Sequence, residues 1–415
     1  MAGAIAPRRM AAAVCADRYF QVSGGVPDAH RHPMRNGMTA HRLKALHDAG
    51  TSIWLDYIDR TMLGNGDLER RIRDDALSGM TSNPTIFEKA LGGTAYDAQI
   101  AAVSPDLSTR DVFERLATDD VRRACDAFRA VYDATDAADG YVSLEVGPDL
   151  AHDAEGTVTE ARRLWSVLDR PNAMIKVPGT PEGCVAIRQL IADGINVNVT
   201  LLFSVEAHAA VIEAYLGGLE ARAAAGRPID RIASVASFFV SRVDTEIDKR
   251  LDAKAAAAPA EAARLEQFKG RAAIANARLA YALFRREFSG PRWAPLAAKG
   301  ARVQRPLWAS TSVKNPEYRD VMYVEQLTGP DTVNTMPPAT VDAYRDHGVA
   351  RVTLGPDAGD AEAVLAALGR EGIAIADVTA QLLREGIASF RGSFDSLRQG
   401  LEAKLAGAGR RPVGA

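Results

Sequence analysis

Lys176 lies in Ala173-Met174-Ile175-Lys176-Val177-Pro178-Gly179-Thr180, near the end of an otherwise apolar run. An amine held among apolar neighbours loses solvation for its charged form, which lowers its pKa. A neutral amine is the nucleophile that Schiff-base chemistry on a carbonyl requires. The same position also suits a lysine that snorkels to a rim or pairs with a carboxylate. Two carboxylates end similar runs: Asp56 closes Ile53-Trp54-Leu55-Asp56, and Glu145 closes Tyr141-Val142-Ser143-Leu144-Glu145. Beside an amine nucleophile, such groups can move protons on and off hydroxyls and water. Each alone also fits a carboxylate that caps a helix or pairs with arginine.

Asn196-Val197-Asn198-Val199-Thr200-Leu201 alternates polar and apolar side chains. On a strand this puts Asn196, Asn198 and Thr200 on one face. Burying three polar side chains is costly unless they bond a ligand or one another. A ligand-binding face, an internal hydrogen-bond network and a strand end in solvent all satisfy that condition. Further on, Ser237 and Arg242 fall where a strand runs into a helix. A hydroxyl, a guanidinium fork and free helix amides together suit a phosphate. Ser310 and Lys314 form a similar polar strand end in Trp308-Ala309-Ser310-Thr311-Ser312-Val313-Lys314. Arg242 and Lys314 taken singly also read as ordinary surface charges.

Positioning these groups needs a repeating scaffold. Short β-like runs recur at 52–58, 79–81, 141–145, 173–177, 196–201, 231–239, 307–310 and 332–335. Helical stretches separate them, at 39–49, 111–133, 157–168, 182–193, 205–225 and in an Ala-rich segment over 242–286 that Pro259 must break or begin anew. Strands alternating with helices imply a parallel sheet. Eight such units fit a (β/α)8 TIM barrel of the α/β class, whose active site lies at the C-terminal strand ends. The Gly-rich turn of a dinucleotide fold is missing: Gly64-Asn65-Gly66 and Gly92-Gly93 open no such pattern. The tail from Gly355 to Leu405 reads as additional helices, with Val378, Leu382, Leu383, Ile387, Phe390, Phe394, Leu397, Leu401 and Leu405 on one stripe. The expected organisation is an N-terminal extension over 1–37, a barrel over 38–350 and a helical extension over 351–415 packed on the barrel. Residues 1–37 lack apolar periodicity. They read as a floppy extension or an early start, with Met34 or Met38 as the true one; Arg8-Arg9 before a short apolar run is only a faint export signal.

Composition excludes several classes. The chain has 415 residues, 50 Lys plus Arg against 53 Asp plus Glu, and a net charge of -3. No basic excess points to nucleic acid and no charge block to a membrane surface. No apolar run reaches the length of about 18 residues that a membrane span needs. Cys15, Cys125 and Cys184 are far apart and form no C-x-x-C pair, so no metal site is expected, and the usage suits a reducing cytoplasm. Cys125 and Cys184 fall in helical stretches and read as core residues.

Read together, these strings resemble the transaldolase family, in its longer bacterial form with a C-terminal helical stretch. The resemblance rests on Ser52-Ile53-Trp54-Leu55-Asp56, Thr81-Ser82-Asn83-Pro84-Thr85-Ile86-Phe87, Ile175-Lys176-Val177-Pro178-Gly179-Thr180, Asn196-Val197-Asn198-Val199-Thr200-Leu201-Leu202-Phe203-Ser204 and Leu307-Trp308-Ala309-Ser310-Thr311-Ser312, in this order. It implies transfer of a dihydroxyacetone unit from sedoheptulose 7-phosphate to glyceraldehyde 3-phosphate, within the pentose phosphate pathway, without cofactor or metal. It implies Lys176 as the Schiff-base lysine and Asp56 as the acid/base at the C4 hydroxyl. Glu145 and Thr200 would hold a proton-shuttling water. Asn83 and Asn198 would bond donor hydroxyls, and Ser237 and Arg242 the substrate phosphate, with Ser310 nearby. The partners are then a phosphorylated ketose and aldose, and the family allows a monomer or a homodimer.

One departure stands out. Shorter transaldolases carry a second arginine soon after the serine that matches Ser310, where this chain has Lys314. Lysine offers a point charge in place of a bidentate fork. Two other functions compete: a fructose 6-phosphate aldolase that releases free dihydroxyacetone, and a barrel that binds a sugar phosphate without turnover. Glu145 argues for the transferase over the aldolase, in whose shorter chains a tyrosine serves the proton transfer.

Overall fold

The computed structural model describes residues 40–104 and 106–407. The expectations for residues 1–37 and for Cys15 lie outside them. Eight described strands run in parallel: β1 (Thr51–Asp56), β2 (Leu77–Thr81), β3 (Tyr141–Glu145), β4 (Ala173–Pro178), β5 (Val197–Leu202), β6 (Ser234–Phe239), β7 (Arg305–Ala309) and β8 (Thr332–Met336). They close into a barrel in sequence order, each beside the next and β8 beside β1. The expected (β/α)8 barrel with extra helices is the fold. Both faces of each strand are covered, which is why the strands read as mostly apolar runs.

Register decides which polar groups share a level. Glu145 on β3 pairs with Lys176 on β4, and Lys176 pairs with Asn198 on β5. Three expected site residues therefore stand on one rung. The ladder from β5 to β6 slips between Val199 and Leu202. Leu201 there has a φ of 59°, unusual for a residue with a branched side chain. Trp54 lies across Gly79, where a Cβ would stand 2.5 Å from the indole; only glycine admits that ring.

Boundaries shift for local reasons. Strand β6 starts at Ser234, three residues later than expected, and β7 stops at Ala309 because Ser310 has a φ of 55°. The expected 111–133 helix is two helices, Thr109–Ala127 and Arg129–Ala134, joined at Phe128. The Ala-rich segment becomes helices Ser241–Ala257, Ala262–Glu266 and Ala272–Glu287. Pro259 makes the first break, and a left-handed Gly270 lies in the second. Cys125 is buried and Cys184 half-buried against the core.

Asn196 belongs to the barrel's structure. Its Nδ2 donates to the carbonyls of Pro171 and Ala173, and its Oδ1 accepts from the Ala233 amide. It clips three neighbouring segments at the N-terminal end of the strands. The barrel floor also holds a buried carboxylate: Asp139 accepts from the Trp54 indole at 2.7 Å and the Ser78 hydroxyl at 3.0 Å.

Past β8 the chain forms helices Pro338–His347, Ala361–Arg370 and Ile375–Gly407. The last is 33 residues long and buries Val378, Leu382, Phe390, Leu397, Leu401 and Leu405, six members of the expected stripe. It packs along the Pro84–Gly92 helix and reaches β5 at the open end of the barrel. Gly386 lets it approach: a Cβ there would come within 2.9 Å of Leu201. This closing helix brings Phe390 to the site.

Candidate active site

Lys176 is 4% exposed in the barrel interior. Its Nζ donates to the Ser82 carbonyl at 3.1 Å and lies 3.4 Å from Glu145 Oε2. Ser82 ends β2's run into the Pro84–Gly92 helix, so a backbone carbonyl steers the amine. On the remaining side Phe390 presents its ring 5.9 Å from Nζ. The amine is thus fixed by one carbonyl, one carboxylate and one aromatic ring, away from bulk water.

The two carboxylates have different surroundings. Asp56 ends β1, and its Oδ1 accepts from the Thr81 hydroxyl at 2.7 Å; that hydroxyl also meets Thr335 at 2.7 Å. Burial pushes the Asp56 carboxyl above its ordinary range, against the charge of Lys176, the Thr81 bond and the charge of Arg242. Burial likewise raises Glu145, opposed by Lys176 and reinforced by Asp56. Two acids with raised affinity for protons therefore flank one amine. Such a group takes up a proton more readily than an ordinary carboxylate and can return it.

Thr200 Oγ1 is buried and makes no hydrogen bond among the described residues, and Glu145 Oε2, also buried, has only the Lys176 ammonium at 3.4 Å. Buried polar atoms are normally satisfied. Both atoms belong to strands adjoining β4, so they mark where a small polar molecule finds partners. A cavity of about 30 Å³ adjoins Glu145, lined also by Asn83, Phe87, Phe113 and Phe394. That is space for one or two waters.

Asn198 is fully buried and engaged on both ends of its amide. Its Nδ2 donates to Ser143 Oγ at 2.9 Å, and its Oδ1 accepts from Ser237 at 2.7 Å. Ser237, 2% exposed, lies two residues past Val235, the partner of Asn198, and its hydroxyl reaches back to Asn198. Asn83 caps the Pro84–Gly92 helix, its Oδ1 accepting from the Ile86 amide at 3.0 Å. The cap leaves its Nδ2 for other partners.

The cations lie at the mouth. Arg242 opens the Ser241–Ala257 helix, half-buried, with its guanidinium 5.3 Å from the Phe239 ring centre. Burial lowers its pKa, and the charges of Glu385 and Asp56 raise it. Lys314 is exposed on the segment after β7, and its Nζ donates to Ser312 Oγ at 2.7 Å. Partial desolvation, then Arg242 and Lys89, push its ammonium below the usual lysine value. Ser310 stands beside them, its hydroxyl 3.0 Å from that of Ser241.

The sequence reading missed Thr81, Ser82, Ser143, Ser241 and Phe390. A polar residue on a buried strand would have signalled Thr81 and Ser143, by the argument used for Thr200. Ser82 acts through its backbone and Phe390 arrives from a remote helix, so neither leaves a local signal.

The transaldolase/fructose-6-phosphate aldolase family model matches residues 53–401. The chain is 50% identical to the transaldolase of Acidothermus cellulolyticus, covering 89% of this chain and 98% of that protein. It is 49% identical to the transaldolase of Saccharopolyspora erythraea over 88% and 98%. Transaldolase 2 of a Nostoc species is 46% identical over 89% and 98%. With β1 through the closing helix matched and the rung and mouth described above inside that span, the chain belongs to the transaldolase/fructose-6-phosphate aldolase family.

Proposed function

We propose that the protein is a transaldolase that moves a dihydroxyacetone unit from a phosphorylated ketose to a phosphorylated aldose, through a Schiff base on Lys176. The natural pair is sedoheptulose 7-phosphate and glyceraldehyde 3-phosphate, giving erythrose 4-phosphate and fructose 6-phosphate. This is a step of the cytoplasmic non-oxidative pentose phosphate pathway. The observation that carries the reading is a buried amine 3.4 Å from one carboxylate and under the charge of a second.

In this reading the Lys176 amine, its proton held by Glu145, attacks the ketose C2 carbonyl. Loss of water, protonated from the Glu145 and Thr200 side, gives the iminium. Asp56 then takes the C4 hydroxyl proton; the C3–C4 bond breaks, and the iminium accepts its electron pair. The aldehyde product leaves. The acceptor aldehyde is attacked by the stored carbon nucleophile, and Asp56 returns the proton to the new hydroxyl. Water restores the amine. The protonated imine supplies the electron sink itself, so the cycle calls for no cofactor. Asn198, with Asn83, orients the donor's hydroxyls, and Ser143 and Ser237 hold Asn198 in place. Arg242, Lys314 and Ser310 receive the phosphate.

Borohydride trapping with fructose 6-phosphate, followed by peptide mass spectrometry, tests this. A dihydroxyacetone-sized adduct on Lys176, abolished in Lys176→Ala, is expected. A folded protein with no labelled lysine would reject catalysis and leave a binding barrel. Release of free dihydroxyacetone without acceptor, as fast as transfer with one, would favour the aldolase.

A further inference from the structure

The segment from Ser310 to Tyr323, which carries Lys314, lies along one face of the Ser241–Ala257 helix, which carries Arg242. It is fastened there at three successive turns. At the first, the Ser241 amide donates to the Ser310 carbonyl at 3.0 Å and the two hydroxyls meet. At the second, the Tyr323 hydroxyl donates to Asp244 at 2.9 Å, and the Ala273 amide donates to the same carboxylate at 2.8 Å. At the third, the Tyr318 hydroxyl donates to Asp248 at 2.7 Å, and the Gly270 amide donates to its other oxygen at 3.2 Å. Residues 241, 244 and 248 share one side of a helix.

Two of these contacts follow Lys314 in the chain, and the third, through the half-buried Tyr318, is the nearer; Tyr323 is buried. Between Lys314 and Tyr318 the chain turns tightly: the Tyr318 amide donates to the Asn315 carbonyl, and the Glu317 amide to the Asn315 side chain. The Tyr318 ring is pressed onto Gly270, whose φ is +68° and whose Cβ would stand 2.8 Å from the ring. Neither Lys314 nor Arg242 forms an ion pair with a carboxylate among the described residues, although each feels other charges. Lys314 feels the charge of Arg242, which Glu385 and Asp56 offset only through space, so the pair suits an external anion and a tether that stops the two moving apart.

We propose that Asp248 and Tyr318 are positioning residues that hold Lys314 beside Arg242 as a two-cation clamp for the substrate phosphate. The proposal rests on the transaldolase reading. The tether makes up for a lysine's lack of a rigid fork: the backbone supplies the orientation that a guanidinium would carry itself. It touches no reacting atom, so its effect falls on binding.

The test is a steady-state comparison of Tyr318→Phe and Asp248→Asn with wild type, using glyceraldehyde 3-phosphate and unphosphorylated glyceraldehyde as acceptors. Loss of one hydrogen bond should raise KM for the phosphorylated acceptor about fivefold. The kcat should stay within about twofold, and the unphosphorylated acceptor should be unaffected. In a Lys314→Ala background the same substitutions should add nothing. Equal losses with both acceptors, or losses that add to Lys314→Ala, would overturn the clamp and leave a general folding role. Asp248→Asn keeps size and packing, and so decides the matter where Tyr318→Phe melts early. If wild type transfers no dihydroxyacetone, the catalytic reading fails separately. The clamp is then judged by titration with inorganic phosphate, which Tyr318→Phe must still weaken.

Discussion

In the proposed reaction Asp56 is the base of the carbon–carbon step, and burial raises its pKa against the charge of Lys176 and a hydrogen bond. The Thr81 hydroxyl bonds the charged form and so holds the pKa down. The base must be ionised to take the C4 hydroxyl proton, so activity falls as pH drops through that raised pKa. Thr81→Val removes the bond without changing side-chain shape much. The acid limb of the kcat/KM profile should move to higher pH, and rates below the limb should fall about tenfold, the worth of one charged hydrogen bond of about 1.4 kcal/mol. An unmoved limb would show that another group sets it. Asp56→Asn should still let Lys176 form the imine yet block cleavage. Borohydride should then trap an intact six-carbon adduct, and absence of any adduct would give Asp56 a different role.

At the scale of elements, the strands were legible and the roof was not. Strands β3, β4 and β5 announce themselves because polar residues interrupt apolar runs, and their C-terminal ends mark the site. The sequence reading also found the apolar stripe of the closing helix. It could not place that stripe over Lys176, since nothing local links Phe390 to a residue more than two hundred positions earlier. The same limit applies to Ser237: its position at a strand–helix junction suggests a phosphate ligand, while its hydroxyl lies deeper, on Asn198. Only register and the β5 irregularity decide that depth. The closing helix carries its own prediction. Phe390→Ala deletes a buried aromatic and should lower stability by about 3 kcal/mol, measured by denaturant titration. It should also admit water to the imine and raise the share of donor released as free dihydroxyacetone. A variant less stable but unchanged in that share would make Phe390 a packing residue only.

For the molecule as a whole, acid sensitivity has one clear source. His208 is fully buried in the Val205–Ala224 helix with its ring 6.1 Å from that of Phe238. Burial lowers its pKa to about 4, with the Ala280 backbone opposing. The unfolded chain takes up this proton near pH 6.5, the folded one near 4. Stability from a neutral His208 is therefore complete above about 6.5 and drains away as pH falls towards 4. His208→Gln should lose stability at pH 7, yet close the gap to wild type by about 3 kcal/mol on going to pH 4. A gap independent of pH would mean that the histidine is protonated or solvated in the fold. The closing helix has a further consequence, one of order in time. About seventy residues separate the end of β8 from the end of that helix. At about 5–20 residues per second, a ribosome needs about 4–14 s to add them. The strands that carry Lys176, Asp56 and Glu145 are all made before their cover exists. A newborn barrel holds Lys176 under an open mouth, with the sides of Leu201 and Phe203 that face Gly386 uncovered, so an interrupted chain is a sticky one.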